Sequence, residues 1–189
     1  MANTNVVTNV SAGAPKADGA IFRAPIGTTL PTDATTALDA AFEALGFVSE
    51  EGLVNSKTLE TETIKDWGGR DVLTVQSGRS DTYKLTLIEI LNLAVLKTVY
   101  GDDNVSGTLA AGITVRGNVA ELEPAVYVIE IALRDGAKKR VVIPNGSLSE
   151  LGDVTYVRNG VVGYPVTINA NTGGFANDDD NYKEYIVRP

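Results

Sequence analysis

Residues 125–146 read "AVYVIEIALRDGAKKRVVIPNG". Two runs rich in β-branched and aromatic residues flank Asp135 and Gly136, the residue pair that a two-residue type I′ turn favours because both central positions need positive φ. Alternation puts Tyr127, Ile129, Ile131 and Leu133 on one face and Val128, Glu130, Ala132 and Arg134 on the other. The stretch predicts a β-hairpin, and it sets the expected fold class as mainly β.

Working backwards, "KTLETETIKDW" at 57–67 also alternates, in a threonine-rich strand pattern, with Leu59, Thr61 and Thr63 opposite Thr58, Glu60, Glu62 and Ile64. The following "DWGGRD" is a turn built on Gly68 and Gly69. "VLTVQS" at 72–77 is expected to form a strand, "GRSD" at 78–81 a turn or bulge, and "TYKLTLIEIL" at 82–91 a third strand with Tyr83, Leu85, Leu87 and Leu91 on one face.

Two helices are expected. In residues 24–53, "APIGTTLPTDATTALDAAFEALGFVSEEGL", Thr35 or Thr36 is placed to cap. Leu38, Ala41, Phe42 and Leu45 make an apolar stripe, and Gly46 stands at the stop. Asn92 is placed to cap "LAVLKTVY", ended by Gly101. Beyond these, "GDDNVSGTLAAG" at 101–112 reads as a loop. "DVTYVRNG", "VGYPVTINAN" and "EYIVRP" read as further strands. The sum is a β-sandwich or barrel of two packed antiparallel sheets with one or two short helices, a polar N-terminal arm over 1–18, and a single domain over 19–189.

Composition narrows the chemistry. The 189 residues contain neither Cys nor His. That removes disulfides, thiolate nucleophiles, the usual general base and the commonest transition-metal ligand. No phosphate loop, dinucleotide fingerprint or nucleophile elbow occurs. The acidic runs at 102–104 and 178–181 lack the glycine and distal glutamate of a calcium loop and read as solvated turns. No catalytic residue, cofactor site or metal site is expected. No stretch approaches a membrane span, and the first residues do not read as a signal peptide.

Net charge is −8, which argues against a surface built to grip nucleic acid. Residues 33–66 carry eight acids against Lys57 and Lys65, whereas Lys138, Lys139 and Arg140 cluster in the balanced C-terminal part. The acidic bias reads either as an ordinary solvated acidic surface or as a surface that faces something negative without holding it.

Several phrases, taken in order, carry a resemblance: the 24–53 block, "KDWGGRDVLTVQS" at 65–77, "LAVLKTVYGDDNVSG" at 93–107, the 127–146 hairpin, and "VGYPVTINA" at 162–170. Over about residues 19–170 the chain resembles the major tail proteins, or tail tube proteins, of long-tailed bacteriophages, of the non-contractile siphophage type infecting actinobacteria. The resemblance implies a tail tube fold and no enzymatic activity. It implies hexameric rings stacked into a hollow tube around a tape measure protein, closed by tail terminator and tail-tip proteins. Genomic DNA passes through the lumen without specific binding, and the tube belongs to a virion assembled in the host cytoplasm. Under this reading Glu60, Glu62 and Glu130 are expected to contribute negative charge to the lumen. The arm and the hairpin tip Trp67, Gly68, Gly69 and Arg70 are the expected ring-to-ring contacts. The alternatives are a tube protein of a contractile injection or secretion device, or a monomeric β-sandwich binding or decoration module.

Overall fold

The computed structural model describes residues 5–16, 19–176 and 179–188. Parts of the expected arm (1–4, 17 and 18) and the start of the acidic run at 178 lie outside the described residues. In chain order the elements are β1 (Gly13–Pro15), β2 (Ile21–Pro25), β3 (Glu43–Ala44), β4 (Val54–Lys65), β5 (Asp71–Leu87), α1 (Leu93–Tyr100), β6 (Val105–Thr108), β7 (Gly112–Val115), β8 (Ala125–Leu133), β9 (Lys138–Leu151), β10 (Tyr164–Ala170) and β11 (Lys183–Val187). The protein is mainly β, with two antiparallel sheets, as expected of a β-sandwich. The large sheet runs β3-β2-β8-β9-β10-β5-β4, with β1 also on β8 and β11 on β9; β6 and β7 form the small one.

The 125–146 hairpin forms as β8 and β9, in the register Ala132 to Lys138. Its tip holds three residues, Arg134–Gly136, rather than two, and Asp135 (φ 59°) and Gly136 (φ 75°) take the positive angles that the pair was read for. β9 is long enough to serve several partners. Its first part pairs with β8 and β11, and its last part, from Gly146 onward, with β10. Tyr83, Leu85 and Leu87 from β5, Tyr127 and Ile129 from β8, Val141 and Ile143 from β9, and Val166 and Ile168 from β10 meet α1 in one buried core. Each of the aliphatic side chains among them contributes about 1.5–3 kcal/mol by leaving water.

The Asn92 side chain accepts the Ala94 N–H, and Gly101 (φ 94°) ends α1, as the sequence predicts. The earlier helix does not form. The Asp33 carboxylate takes the N–H groups of Thr35 and Thr36, and the carbonyls of Asp33 and Thr36 accept from Arg140 Nη1 at 2.8 Å each. The Leu45 N–H is spent on the Ile21 carbonyl at 2.9 Å. The Asp33 contacts alone would suit a helix N-terminus, but the Thr36 carbonyl and the Leu45 N–H are groups a helical ladder needs, and they are committed to Arg140 and to the sheet instead. Of the expected stripe only Leu45 is fully buried, while Leu38 and Phe42 are half-buried and Ala41 is exposed. Gly46 does have positive φ, but its role differs. A Cβ there would strike the Glu89 carboxylate, which accepts the Phe47 N–H and an Asn92 side-chain N–H.

Four further expectations change. "VLTVQS" and "TYKLTL" are one continuous strand: "GRSD" pairs regularly with β4, and the bulge falls just before it at Ser77, where Gln76 and Gly78 oppose Thr61 and Glu60. Leu91 lies beyond that strand and is exposed. The expected 101–112 loop holds β6 and opens a short hairpin with β7 that runs on to Val115, while "DVTYVRNG" forms no strand.

Candidate assembly surface

β4 and β5 form a hairpin whose outer part stands clear of the core. Every residue of β4 except Asn55 is exposed, and so are residues 71–77 of β5. Being twelve residues long and at the end of the sheet order, β4 offers an unpaired row of backbone donors and acceptors. Leu59 and Ile64 are exposed along it, and Val72 and Leu73 along the adjoining part of β5. An isolated chain gains nothing from apolar side chains held in water on both faces of an edge hairpin. Such a surface is suited to being covered by another protein.

The tip is internally wired. Asp66 N–H donates to the Arg70 carbonyl at 2.8 Å, and Gly69 N–H to the Asp66 carbonyl at 2.9 Å. The Asp66 carboxylate accepts the Arg70 N–H at 2.8 Å and Nε at 3.1 Å. Gly69, at φ 81°, makes the reversal. The result holds Trp67 fully exposed at the end of the hairpin. Trp67, Gly68, Gly69 and Arg70, the residues expected at ring-to-ring contacts, are consecutive at this tip.

The three candidate glutamates part company. Glu60 lies over Gly78, where a Cβ would come to 3.0 Å from its Oε2, and Glu62 faces Val75. Both are exposed on the hairpin, and among the described residues neither forms an ion pair. Glu130 is buried instead. It is held by Lys16 Nζ at 2.6 Å and by Arg140 Nε at 3.0 Å, so it presents no free charge. Burial pushes its carboxyl up, but the hydrogen bonds from Lys16 and Arg140 outweigh that and hold it below the ordinary carboxylate range.

Strand register brings together a polar row that no single segment of the sequence shows. Ser56 pairs with Thr82, Thr82 with Asn169 and Asn169 with Ser147, crossing β4, β5, β10 and β9 on the face opposite Tyr83 and Ile168. Asn171 ties into it, donating to Ser147 Oγ at 3.0 Å and accepting from Asn169 at 2.8 Å. Strand alternation carries this face outward along β4 to Glu60 and Glu62. The signal was present in the alternation of "DTYKLTL" and "VTINA", but only the strand order shows that the polar sides line up.

Two other ion pairs brace the body. Arg23 binds Asp102 bidentately at 3.0 and 2.9 Å, and Arg79 binds the buried Asp81 at 2.7 and 3.1 Å. Among the described residues no group of Asp and Glu side chains is arranged to hold a metal ion. Asp180, in the acidic run near the C-terminus, is paired with Lys183 at 3.3 Å.

A family model described as "Phage tail tube protein" matches residues 8–183, nearly the whole chain. No curated protein matches.

Proposed function

Because the chain belongs to the phage tail tube protein family, a structural and non-enzymatic component of the virion tail that assembles with other tail components, we propose that it polymerises as hexameric rings stacked into the tube of a long, non-contractile tail. The observation that carries the proposal is β4: a twelve-residue edge strand, exposed on both faces, with uncovered apolar side chains. The sheet ends at β4 on one side and at β3 on the other. Head-to-tail contact between unlike edges is heterologous, and it closes into a ring when the rotation allows, which removes the edge liability.

In this reading the polar row Ser56, Thr82, Asn169 and Ser147 faces the lumen, with Glu60 and Glu62 contributing the negative charge. Hydroxyls, amides and carboxylates present no cation array for phosphates to displace counterions onto, so DNA moves through without specific binding. The hairpin tip and the N-terminal arm make the contacts between rings. A tape measure protein occupies the lumen during assembly in the host cytoplasm, and terminator and tip proteins close the ends.

Negative-stain electron microscopy of the concentrated, purified protein tests this. Hollow tubes with a regular axial repeat are expected. A protein that remains a monomer under tube-forming conditions would overturn the proposal in favour of a binding or decoration module.

A further inference from the structure

We propose that Trp67 at the hairpin tip seats in an apolar groove of a second copy of this chain, formed where β1 and the 48–53 segment flank β8. The inference rests on the tube reading and adds to it the acceptor site.

The tip has the properties of an anchor. Trp67 is fully exposed, and the hydrogen bonds that Asp66 makes to Gly69 and Arg70 fix the turn before any partner arrives. A rigid exposed indole loses little conformational entropy on docking and brings a large apolar area with it. The groove has the complementary properties. It is a cavity of about 220 Å³, lined by Ala14, Pro15, Ile21, Val48, Leu53 and Ile131 among others. In its wall the Ser49 hydroxyl is buried without a hydrogen-bond partner among the described residues, an acceptor matched to an indole N–H.

Charge agrees with the fit. Glu50 and Glu51, exposed and outside any ion pair among the described residues, immediately precede the groove residues Gly52 and Leu53. On the tip the Arg70 side chain is 87% exposed and, among the described residues, pairs with Asp66 of its own turn. Docking would bring that guanidinium to an acidic rim.

The two halves of the contact cannot meet within one chain. Leu53 directly precedes β4 and Trp67 follows its end, so about 3.3 Å per residue over the strand separates them by roughly 40 Å. The partner is therefore another copy, and the contact is heterologous, passing from each copy to the next instead of closing a two-fold dimer. Successive copies joined this way are displaced by about the length of the hairpin.

Two properties of the sequence make the test direct: Trp67 is the only tryptophan, and there is no cysteine. Wild-type tubes should show Trp67 emission moved to shorter wavelength and shielded from iodide relative to the monomer. Trp67→Ala should keep its thermal unfolding midpoint and lose tube yield at least tenfold. The double variant Ala14→Cys/Arg70→Cys, oxidised after assembly, should give a ladder of dimers, trimers and longer species on a non-reducing gel, whereas each single variant should stop at dimer. Tubes with solvent-exposed Trp67 emission, or oxidised double-variant tubes without a ladder, would overturn the inference and leave the tube reading standing. Failure of the wild type to form any tube would overturn both.

Discussion

Arg140 and Glu130 face each other across the β8–β9 pair, with Nε donating to Oε1 at 3.0 Å. They lie on the face of the sheet turned away from the main core, beside Val128 and Val142, which are buried as well. The same guanidinium holds the carbonyls of Asp33 and Thr36. One side chain thus neutralises a buried carboxylate and pins the 33–36 segment that the sequence alone would make the start of a helix.

Removing Arg140 should therefore cost more than removing the other cation on Glu130. Arg140→Met leaves a carboxylate buried with only Lys16 beside it and two carbonyls without their donor, an expected loss of about 3–5 kcal/mol. Lys16 is half exposed, and Lys16→Met should cost under about 1 kcal/mol. Urea unfolding of the two variants checks the ranking. Equal midpoints would mean that Glu130 is solvated well enough not to need its arginine.

Stability should be flat through neutral pH and fall at both ends. With no histidine in the chain, no imidazole titrates between pH 5.5 and 7.5. Asp33 is held low by the Thr36 hydroxyl and the Thr35 and Thr36 N–H groups, Asp102 by its hydrogen bonds from Arg23, and Glu130 by Lys16 and Arg140 against the opposing effect of burial. Folded values below the unfolded ones, roughly 4, give stability that is complete above that range and lost as pH falls through the folded values. At the other end, burial pushes the Tyr164 phenol up to about 12 and raises Tyr83 and Tyr127 as well. That stability is complete below the ordinary tyrosine value of about 10 and is lost as pH rises through the folded values. Thermal midpoints across pH 3–11 read this directly. A step between pH 6 and 7 would contradict it.

Local signals explain which elements could be read in advance. The β8–β9 hairpin, α1 with its Asn92 cap and Gly101 stop, and the β4–β5 tip are specified by neighbours in sequence, so turn chemistry and periodicity found them. The 35–45 helix does not form because two competitors lie outside its own segment: Arg140, which takes the Thr36 carbonyl, is 104 residues on, and Ile21, which takes the Leu45 N–H, belongs to a strand held by its pairing with β8. The surroundings of Glu130 are illegible in the sequence for a related reason. Alternation placed it opposite Ile129 and Ile131, but the sequence does not say that Arg140 and Lys16 converge on it. The Ser56–Thr82–Asn169–Ser147 row needs the order of four strands, which no single segment encodes.

Gly146 should tolerate no side chain. It is paired with Ala125 of β8 and with Ala170 of β10, at the point where β9 passes from one neighbour to the other. A Cβ there would lie 2.5 Å from Tyr127 Cδ2 and 3.1 Å from Ile168 Cγ2. Both neighbours are fully buried aromatic or branched side chains with nowhere to move. Gly146→Ala should destabilise by about 1–3 kcal/mol through overpacking, read as a lower urea midpoint with an unchanged slope. A wild-type midpoint would show that the Tyr127 ring shifts freely.

The charge of Glu60 and Glu62 is separable from their contribution to the fold, and that makes the lumen assignment testable. Both are exposed, neither is paired among the described residues, and Glu60 shares its position with Gly78, so a lysine stem has room to lie across the strand. Glu60→Lys/Glu62→Lys should leave the monomer within about 0.5 kcal/mol of wild type, as surface substitutions away from buried features generally do. Tubes should still form, because neither carboxylate belongs to the tip or the groove. If the pair lines the channel, each substitution places a cation where phosphates pass, and counterion release would then favour binding instead of transit. The readouts are DNA ejection from tails carrying the double variant and retention of short duplex DNA by purified tubes, each at low and high salt. Slower ejection and stronger retention, both relieved by salt, are expected. Wild-type ejection rates from fully assembled variant tails would place Glu60 and Glu62 on the outside of the tube.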